Sequence, residues 1–337
     1  MPLDAVYCQH TIEGRLPELM PDTDDVPFAQ TIGITTDLPV RSHVSVPIHR
    51  ANGEIYGMFC CLSRKPRPSL NSRDLEVMRA FASLSADQVI TQLSVETVAQ
   101  TKRASIEAIL NTGGFEIALQ PIICLQDQGI AGYKALCRFS PEPYRPPNIW
   151  FDDAADVGLQ VVLELYVIEA ALSYLKDLPP ECYLAVNTSP DTLATGRISP
   201  LIAAVGGDRV VVEITEHAAI DDILMEIDRL RDLGAGIAIN DAGAGYSGLQ
   251  QIIRLRPDVI KLNMSLTKDV DKDLARRSLA SAMVQFAGDT KARVVAEGIE
   301  TEAEMRTLRS LGVAWGPGYH LARPCLASDL LGVKKLA

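Results

Sequence analysis

The sequence predicts an α/β protein: a (β/α)8-type barrel preceded by a smaller α+β domain. Three observations lead there. From residue 114 onward, short apolar strand-like runs alternate with helical patterns. Ahead of them, two β-type runs flank a turn and lead into a long helical stretch. At 337 residues the chain exceeds one average domain and suits two.

In chain order, "VSVPI" from Val44 and "IYGMFCCL" from Ile55 flank "HRANGE", whose Asn52-Gly53 is a hairpin signal. After the proline-rich "RKPRPSL", the run Asn71-Ser72-Arg73-Asp74 predicts a helix cap. Leu75, Met78, Phe81, Ala82, Leu84 and Val89 then recur with a helical period. Helical sequence continues to about Asn111, where "NTGG" stops it. One long dimerising or signalling helix and two ordinary helices with a bend fit this pattern equally well. The domains expected are 1–90, a connecting helix at 91–113, and the barrel at 114–337. Its strand candidates are "FEIALQPII", "AGYKALCRF", "CYLAVNTS", "RVVVEIT", "GIAIND", "VIKLN", "ARVVAEG" and "VAWGPGY", separated by helical runs such as "VVLELYVIEAALSYL". Active sites in such barrels lie at the C-terminal ends of the strands.

Composition narrows the function classes. No apolar run approaches the roughly 18–20 residues of a membrane span, and no secretory leader is evident, so a soluble, cytoplasmic protein is expected. Seven cysteines, an odd number at low density without paired zinc spacing, argue against a disulfide framework and fit a reducing compartment. Cys60-Cys61, inside a strand-like run, read as small buried hydrophobes. Cys8 and His10 in "YCQH" read as packing residues, because no second pair of ligands accompanies them. A net charge of −11 disfavours a nucleic-acid backbone as partner, while a small anionic ligand remains compatible with a local pocket.

Polar residues collect at the strand ends. Asn187 closes "LAVN", Glu213 and Glu216 lie in "VEITE", Asn240 and Asp241 close "IAIND", Lys261 lies in "VIKLN", and Glu297 and Glu300 lie in "AEGIE". Carboxylate and amide oxygens are hard ligands suited to Mg²⁺ or Mn²⁺, and a facing lysine assists a water nucleophile or phosphate charge. Two-metal phosphodiester hydrolysis is the chemistry such a set fits. Any one of these residues alone reads as a helix cap or a solvent-facing group; recurrence over five strand ends favours a shared site.

From about Gly114 to the C-terminus, "LQPII", "KALCR", "VNTSP", "EITE", "NDAGAGYSGL", "IKLN", "VAEGIET" and "GPGYHLARP" occur in an order that resembles the EAL domain, the cyclic di-GMP phosphodiesterase module. The resemblance implies a modified (β/α)8 barrel with one antiparallel strand. It assigns Asn187, Glu213, Asp241 and Glu297 to metal or metal-water positions and Lys261 to the catalytic lysine. It makes Glu216 a support for the loop starting at Asp241 and places Glu300 beside the site. Leu136 and Arg138 match dinucleotide contacts, Arg138 through a phosphate, and Asp241 and Pro317 stand at positions near the ligand.

The departures from the family pattern concentrate on the chemistry. Lys134 replaces the signature glutamate, a metal ligand, and Asn240 replaces the first aspartate of an Asp-Asp pair. Asn263 stands where an aspartate is usual, Pro317 where a glutamine is usual, and Ala242 and Ala244 thin the loop. A site built for two dications thereby loses about three units of negative charge. At an effective dielectric of about 20, an ammonium 4 Å from a dication meets about 8 kcal/mol of repulsion. Lys134 is therefore expected to fill the place of a metal ion, pairing with Glu213 or Glu297; the competing expectation is a lysine turned to solvent beside one weak metal site.

Residues from about Val26 to Val89, through "RSHVSVPIHRANGEIYGMFCCLS" and "LNSRDLEVMRAFASLSADQV", resemble the second half of a GAF sensory domain, shorter than a full one. Together the resemblances imply a bacterial signalling protein of the cyclic di-GMP system with a degenerate EAL domain. It is expected to act without phosphodiesterase turnover, as a cyclic di-GMP receptor or a protein-interaction module, in a homodimer, with Mg²⁺ or Mn²⁺ weak or absent. The alternatives are a slow metal-dependent phosphodiesterase and a GAF-like ligand sensor with an inert barrel.

Overall fold

The computed structural model describes residues 6–49, 53–214, 220–242, 252–318 and 320–332, apart from the side chains at 85, 87–90, 93, 94, 220, 221, 241 and 242. The chain divides into two compact units, residues 1–100 and 101–337.

In the first unit, β1 (Leu19–Met20), β2 (Ser42–His49) and β3 (Ile55–Ser63) form an antiparallel sheet in that order. β2 and β3 are the two predicted runs; Asn52, half of the predicted turn, lies outside the described residues. Helices α1 (Tyr7–Ile12) and α2 (Gly33–Asp37) contribute Tyr7 and Ile34 to a small core with Leu16, Met20, Ala29, Ile32 and Val40. His10 is buried and meets Phe28 edge-on, ring centroids 5.3 Å apart. The expectation that Cys60 and Cys61 are both buried needs correction: Cys61 is exposed and Cys60 only half-buried. β3 is an edge strand of a three-stranded sheet, so fewer neighbours cover it.

Helix α3 (Ser72–Thr112) is one uninterrupted helix rather than two with a bend. Its start is the predicted cap: Asn71 Oδ1 accepts from the Arg73 N–H at 2.9 Å, and the Asp74 carboxylate accepts from the Asn71 N–H at 3.0 Å. Its end is Gly113, at φ +66°, whose N–H still reaches the Ile109 carbonyl at 2.9 Å.

The second unit is a closed barrel of β4 (Phe115–Cys124), β5 (Ile130–Phe139), β6 (Tyr183–Thr188), β7 (Val210–Ile214), β8 (Gly236–Ala242), β9 (Val259–Leu262), β10 (Arg293–Ala296) and β11 (Trp315–Gly316). β4 runs antiparallel to both of its ring neighbours, β5 and β11, and every other neighbouring pair is parallel. The single antiparallel strand follows from connection length. Residues 125–129 are too few for a crossover, so β4 and β5 form a hairpin, whereas the later strands are separated by helices. A side chain at Gly132 on β5 would lie 2.6 Å from Tyr183 on β6, which explains a glycine at that crossing.

Leu119, Leu184, Val212, Ile237 and Ile260 are wholly buried in the main core. A second cluster joins Ile106 and Ile109, on the last turns of α3, to Phe139, to Trp150 of α4 (Pro147–Asp156) and to Leu163 of α5 (Gln160–Leu172). The barrel unit therefore uses residues that precede the expected boundary at 114. No helix among the described residues is long and apolar enough to cross a membrane.

Candidate functional site

Strand alternation on β5 sorts its side chains. Tyr133, Ala135, Cys137 and Phe139 are buried in the layer beneath the helices. Lys134, Leu136 and Arg138 therefore share the opposite face, which in a barrel is the lumen and its mouth.

There Lys134 meets Glu213 of β7, Lys261 of β9 and Glu297, the residue after β10. The Lys134 ammonium lies 3.2 Å from Glu213 Oε2 and 3.0 Å from Glu297 Oε1. Lys261 reaches the same two oxygens at 2.6 and 2.5 Å. Two ammonium groups and two carboxylates thus alternate around a closed, neutral cluster. Its members are largely enclosed: the side chains of Glu213 and Lys261 are each 3% exposed and that of Lys134 is 13% exposed.

The electrostatics follow from that closure. Burial works against ionisation of both carboxyls, but Lys261 and Lys134 outweigh it and hold them below the usual range, Glu297 at about 2. Burial also opposes the charge on Lys134, and the attraction of Glu213 and Glu297 prevails, raising its pKa. For Lys261 burial, joined by the Lys134 charge, prevails over Glu213 and lowers it.

Two more of the predicted residues stand on intervening strands. Asn187 of β6 pairs in register with Glu213, and Asn240 lies near the end of β8. The Oδ1 atoms of both are buried without a hydrogen-bond partner among the described residues. Leu136, Arg138 and Asn187 line a cavity of about 150 Å³ with Phe151 and Glu164. Pro317 is buried just beyond β11. The side chain of Asp241 and the whole of Glu216 lie outside the described residues. Glu300 is exposed, and Asn263 caps the helix Met264–Thr267 by accepting from the Ser265 N–H at 2.7 Å.

Four buried carboxylates escaped the sequence reading: Asp153, Glu164, Glu226 and Glu304. Glu164 of α5 accepts from both the backbone N–H and the hydroxyl of Ser189, at 2.9 and 2.8 Å, and so anchors the chain just after β6. Nothing local in a mid-helix glutamate signals that. Glu304 accepts from the N–H groups of Asp269, Glu300 and Thr301 and completes a capping box with Thr301, a motif that "TEAE" does display. With Asp269 and Asp271 it forms an acidic cluster, in which those backbone donors engage Glu304, Lys272 engages Asp269, and Asp271 Oδ1 is buried without a hydrogen-bond partner among the described residues.

These donors do not fit a two-dication centre. The amide oxygens of Asn187 and Asn240 suit a hard cation, but the carboxylates that would supply the charge each hold two ammonium groups.

Comparison with known proteins places this geometry in a family. The sequence model of the EAL domain matches residues 102–324, and that of the GAF domain matches residues 2–89. An uncharacterized protein of Mycobacterium tuberculosis is 29% identical over 263 residues, 72% of this chain and 83% of the relative. A probable cyclic di-GMP phosphodiesterase, PdeA of Escherichia coli, is 28% identical over 237 residues, 67% of this chain and 32% of the relative. Among solved structures, Klebsiella pneumoniae BlrP1 with calcium and cyclic di-GMP matches at TM-score 0.58 and 29% identity, covering 64% of this chain and 56% of that one. The EAL enzyme Bd1971 matches at TM-score 0.66 over 84% of this chain and 82% of that one, with 21% identity, a likeness of fold. The chain belongs to the EAL domain family, with its EAL domain over residues 102–324 and a GAF domain over 2–89.

Proposed function

We propose that this chain is a cyclic di-GMP signalling protein whose EAL domain binds the dinucleotide without hydrolysing it. One observation carries the reading: the Lys134 ammonium bridges Glu213 and Glu297 at 3.2 and 3.0 Å. The BlrP1 structures hold cyclic di-GMP together with calcium or manganese. Here a divalent ion approaching the same carboxylates would have to displace a paired, enclosed ammonium and then meet its repulsion. Lys261 is likewise committed to the two carboxylates, which removes it from service to a water molecule.

Retention of a binding surface supports a receptor over an inert scaffold. Leu136 and Arg138 share the face of β5 on which Lys134 lies, and a guanidinium is suited to a phosphodiester. Pro317 offers neither an amide nor a backbone N–H to that ligand, so the dinucleotide would rest on fewer polar contacts there.

A homodimer is the second part of the proposal. Val77, Phe81, Leu84, Val95 and Val98 of α3 are between 49% and 69% exposed, and their separations of four, three, eleven and three fit one heptad seam whose intervening positions are Gln88 and Thr91. A second copy of the same helix is the partner whose spacing matches.

Isothermal titration with cyclic di-GMP in Mg²⁺ tests the receptor reading. Saturable heat that then stops is the expected result. Heat that continues after saturation would mean turnover and overturn it. Absence of heat at two temperatures would remove the dinucleotide and leave a protein-interaction module.

A further inference from the structure

We infer that Cys8 and Cys60 form a peroxide-responsive thiol pair, which closes to a disulfide and pins helix α1 to strand β3. The two sulfur atoms lie 3.1 Å apart, about 1 Å beyond the covalent S–S length of about 2.05 Å. Fifty-two positions separate the two residues, so the fold and not the local chain has brought them together. Both are half-buried, close enough to the surface for a small oxidant.

The partners differ in chemistry. The Cys8–Cys60 hydrogen bond, in which either sulfur can donate, lowers the Cys8 pKa to about 7 against the opposing effect of burial. That same bond, with burial, raises Cys60 and keeps its proton in place. Cys8 is thus the attacking sulfur and Cys60 the resolving one. The Cys8 thiolate attacks one oxygen of hydrogen peroxide; the O–O bond breaks, hydroxide leaves, and Cys8 becomes a sulfenic acid. The Cys60 sulfur then attacks the Cys8 sulfur and displaces its hydroxyl, which leaves as water with the Cys60 proton. In sum two thiols lose two electrons and two protons, and one peroxide becomes two waters.

The remaining described thiols lack this arrangement. Cys61 lies beside Met78, its sulfur 3.7 Å from the thioether. Cys137 and Cys182 are buried in the barrel unit, and burial raises both pKa values. Cys124 is half-buried and hydrogen-bonds Asp127, and Cys325 is exposed and pairs with no other cysteine. The helix that would be pinned has only six residues and an N-cap, Val6, without a side-chain hydrogen bond, so a covalent link to β3 would alter its freedom markedly. Oxidation would thereby be registered in the GAF domain.

The test uses the reduced full-length chain titrated with hydrogen peroxide, quenched by alkylation, and read by intact mass and peptide mapping. The expected first product is a monomeric chain two hydrogens lighter, with Cys8 joined to Cys60 and Cys61 and Cys325 still alkylated. Cys60→Ser should leave a Cys8 sulfenic acid that dimedone captures, and Cys8→Ser should abolish the mass loss. At neutral pH, Cys8 of the unmodified chain should also alkylate faster than Cys325, a comparison that needs no variant. A first product linked between chains, or one oxidised at Cys61 or Cys325 ahead of Cys8, would overturn the inference. So would equal alkylation rates at Cys8 and Cys325.

Discussion

Lys134 takes its character from the charges around it. A lone ammonium on the lumen face of a barrel would be costly, and here two carboxylates compensate it while a second lysine balances them. Removing Lys134 leaves Glu213 and Glu297 sharing one ammonium, so Lys134→Met should destabilise the protein by about 3 kcal/mol, measured by urea unfolding. An unchanged midpoint would mean the cluster relaxes without loss. The pH dependence has a definite sign. The Glu297 carboxyl is held at about 2 in the fold, below its value of about 4.3 in an unfolded chain. Its stabilisation is therefore fully present above about pH 4.3 and is lost as pH falls towards 2. The stability gap between the native protein and Glu297→Gln should stay level from pH 7 to about 5 and close below about 4. A gap that does not narrow between pH 4 and pH 2 would contradict the pairing. At this scale the identities of the polar strand ends were legible, because each closes a short apolar run. The pairing of Lys134 with Glu213 or Glu297 was expected only beside the alternative of a lysine turned to solvent, because Lys134 and Glu297 are 163 positions apart and nothing local decides between the two.

Helix α3 combines two kinds of element. Both ends were readable from local chemistry, Asn71 with Asp74 at the start and Gly113 at the stop. Whether the residues between them made one helix or two was undecidable from periodicity, since both satisfy the same spacing. The exposed seam is the consequence of a single continuous helix. Phe81→Glu combined with Leu84→Glu should convert a dimer into a monomer by light scattering, because like charges would face each other across the seam. A dimer that survives both changes would have its interface elsewhere. Among the strands, β4 shows how connection length outranks composition. "FEIALQPII" resembles the other apolar runs, yet its five-residue link to β5 forces the reversed direction.

For the whole molecule, the boundary between units matters most. The second hydrophobic cluster of the barrel unit draws in Ile106 and Ile109, both essentially unexposed, and Lys102 pairs with the buried Asp153 of α4 at 2.7 Å. A fragment of residues 101–337 should therefore unfold cooperatively on heating, and one of residues 114–337 should melt lower or lose cooperativity, followed by circular dichroism. Equal melting of the two would show that the last turns of α3 add nothing to the barrel.

Read alone, the sequence determined the order of β2, β3 and the barrel strands, the cap and stop of the long helical stretch, the two-part organisation, and the family to which the barrel belongs. Those properties rest on short-range periodicity and on motifs a few residues long. Only the tertiary structure decided that Lys134 turns inward onto Glu213 and Glu297, that Lys261 is held by the same carboxylates, and that Cys8 touches Cys60. It likewise drew the end of α3 into the second hydrophobic cluster of the barrel unit. The reason is physical: the energy of a buried charge or thiol depends on which distant groups surround it, and barrel closure and sheet packing choose those groups.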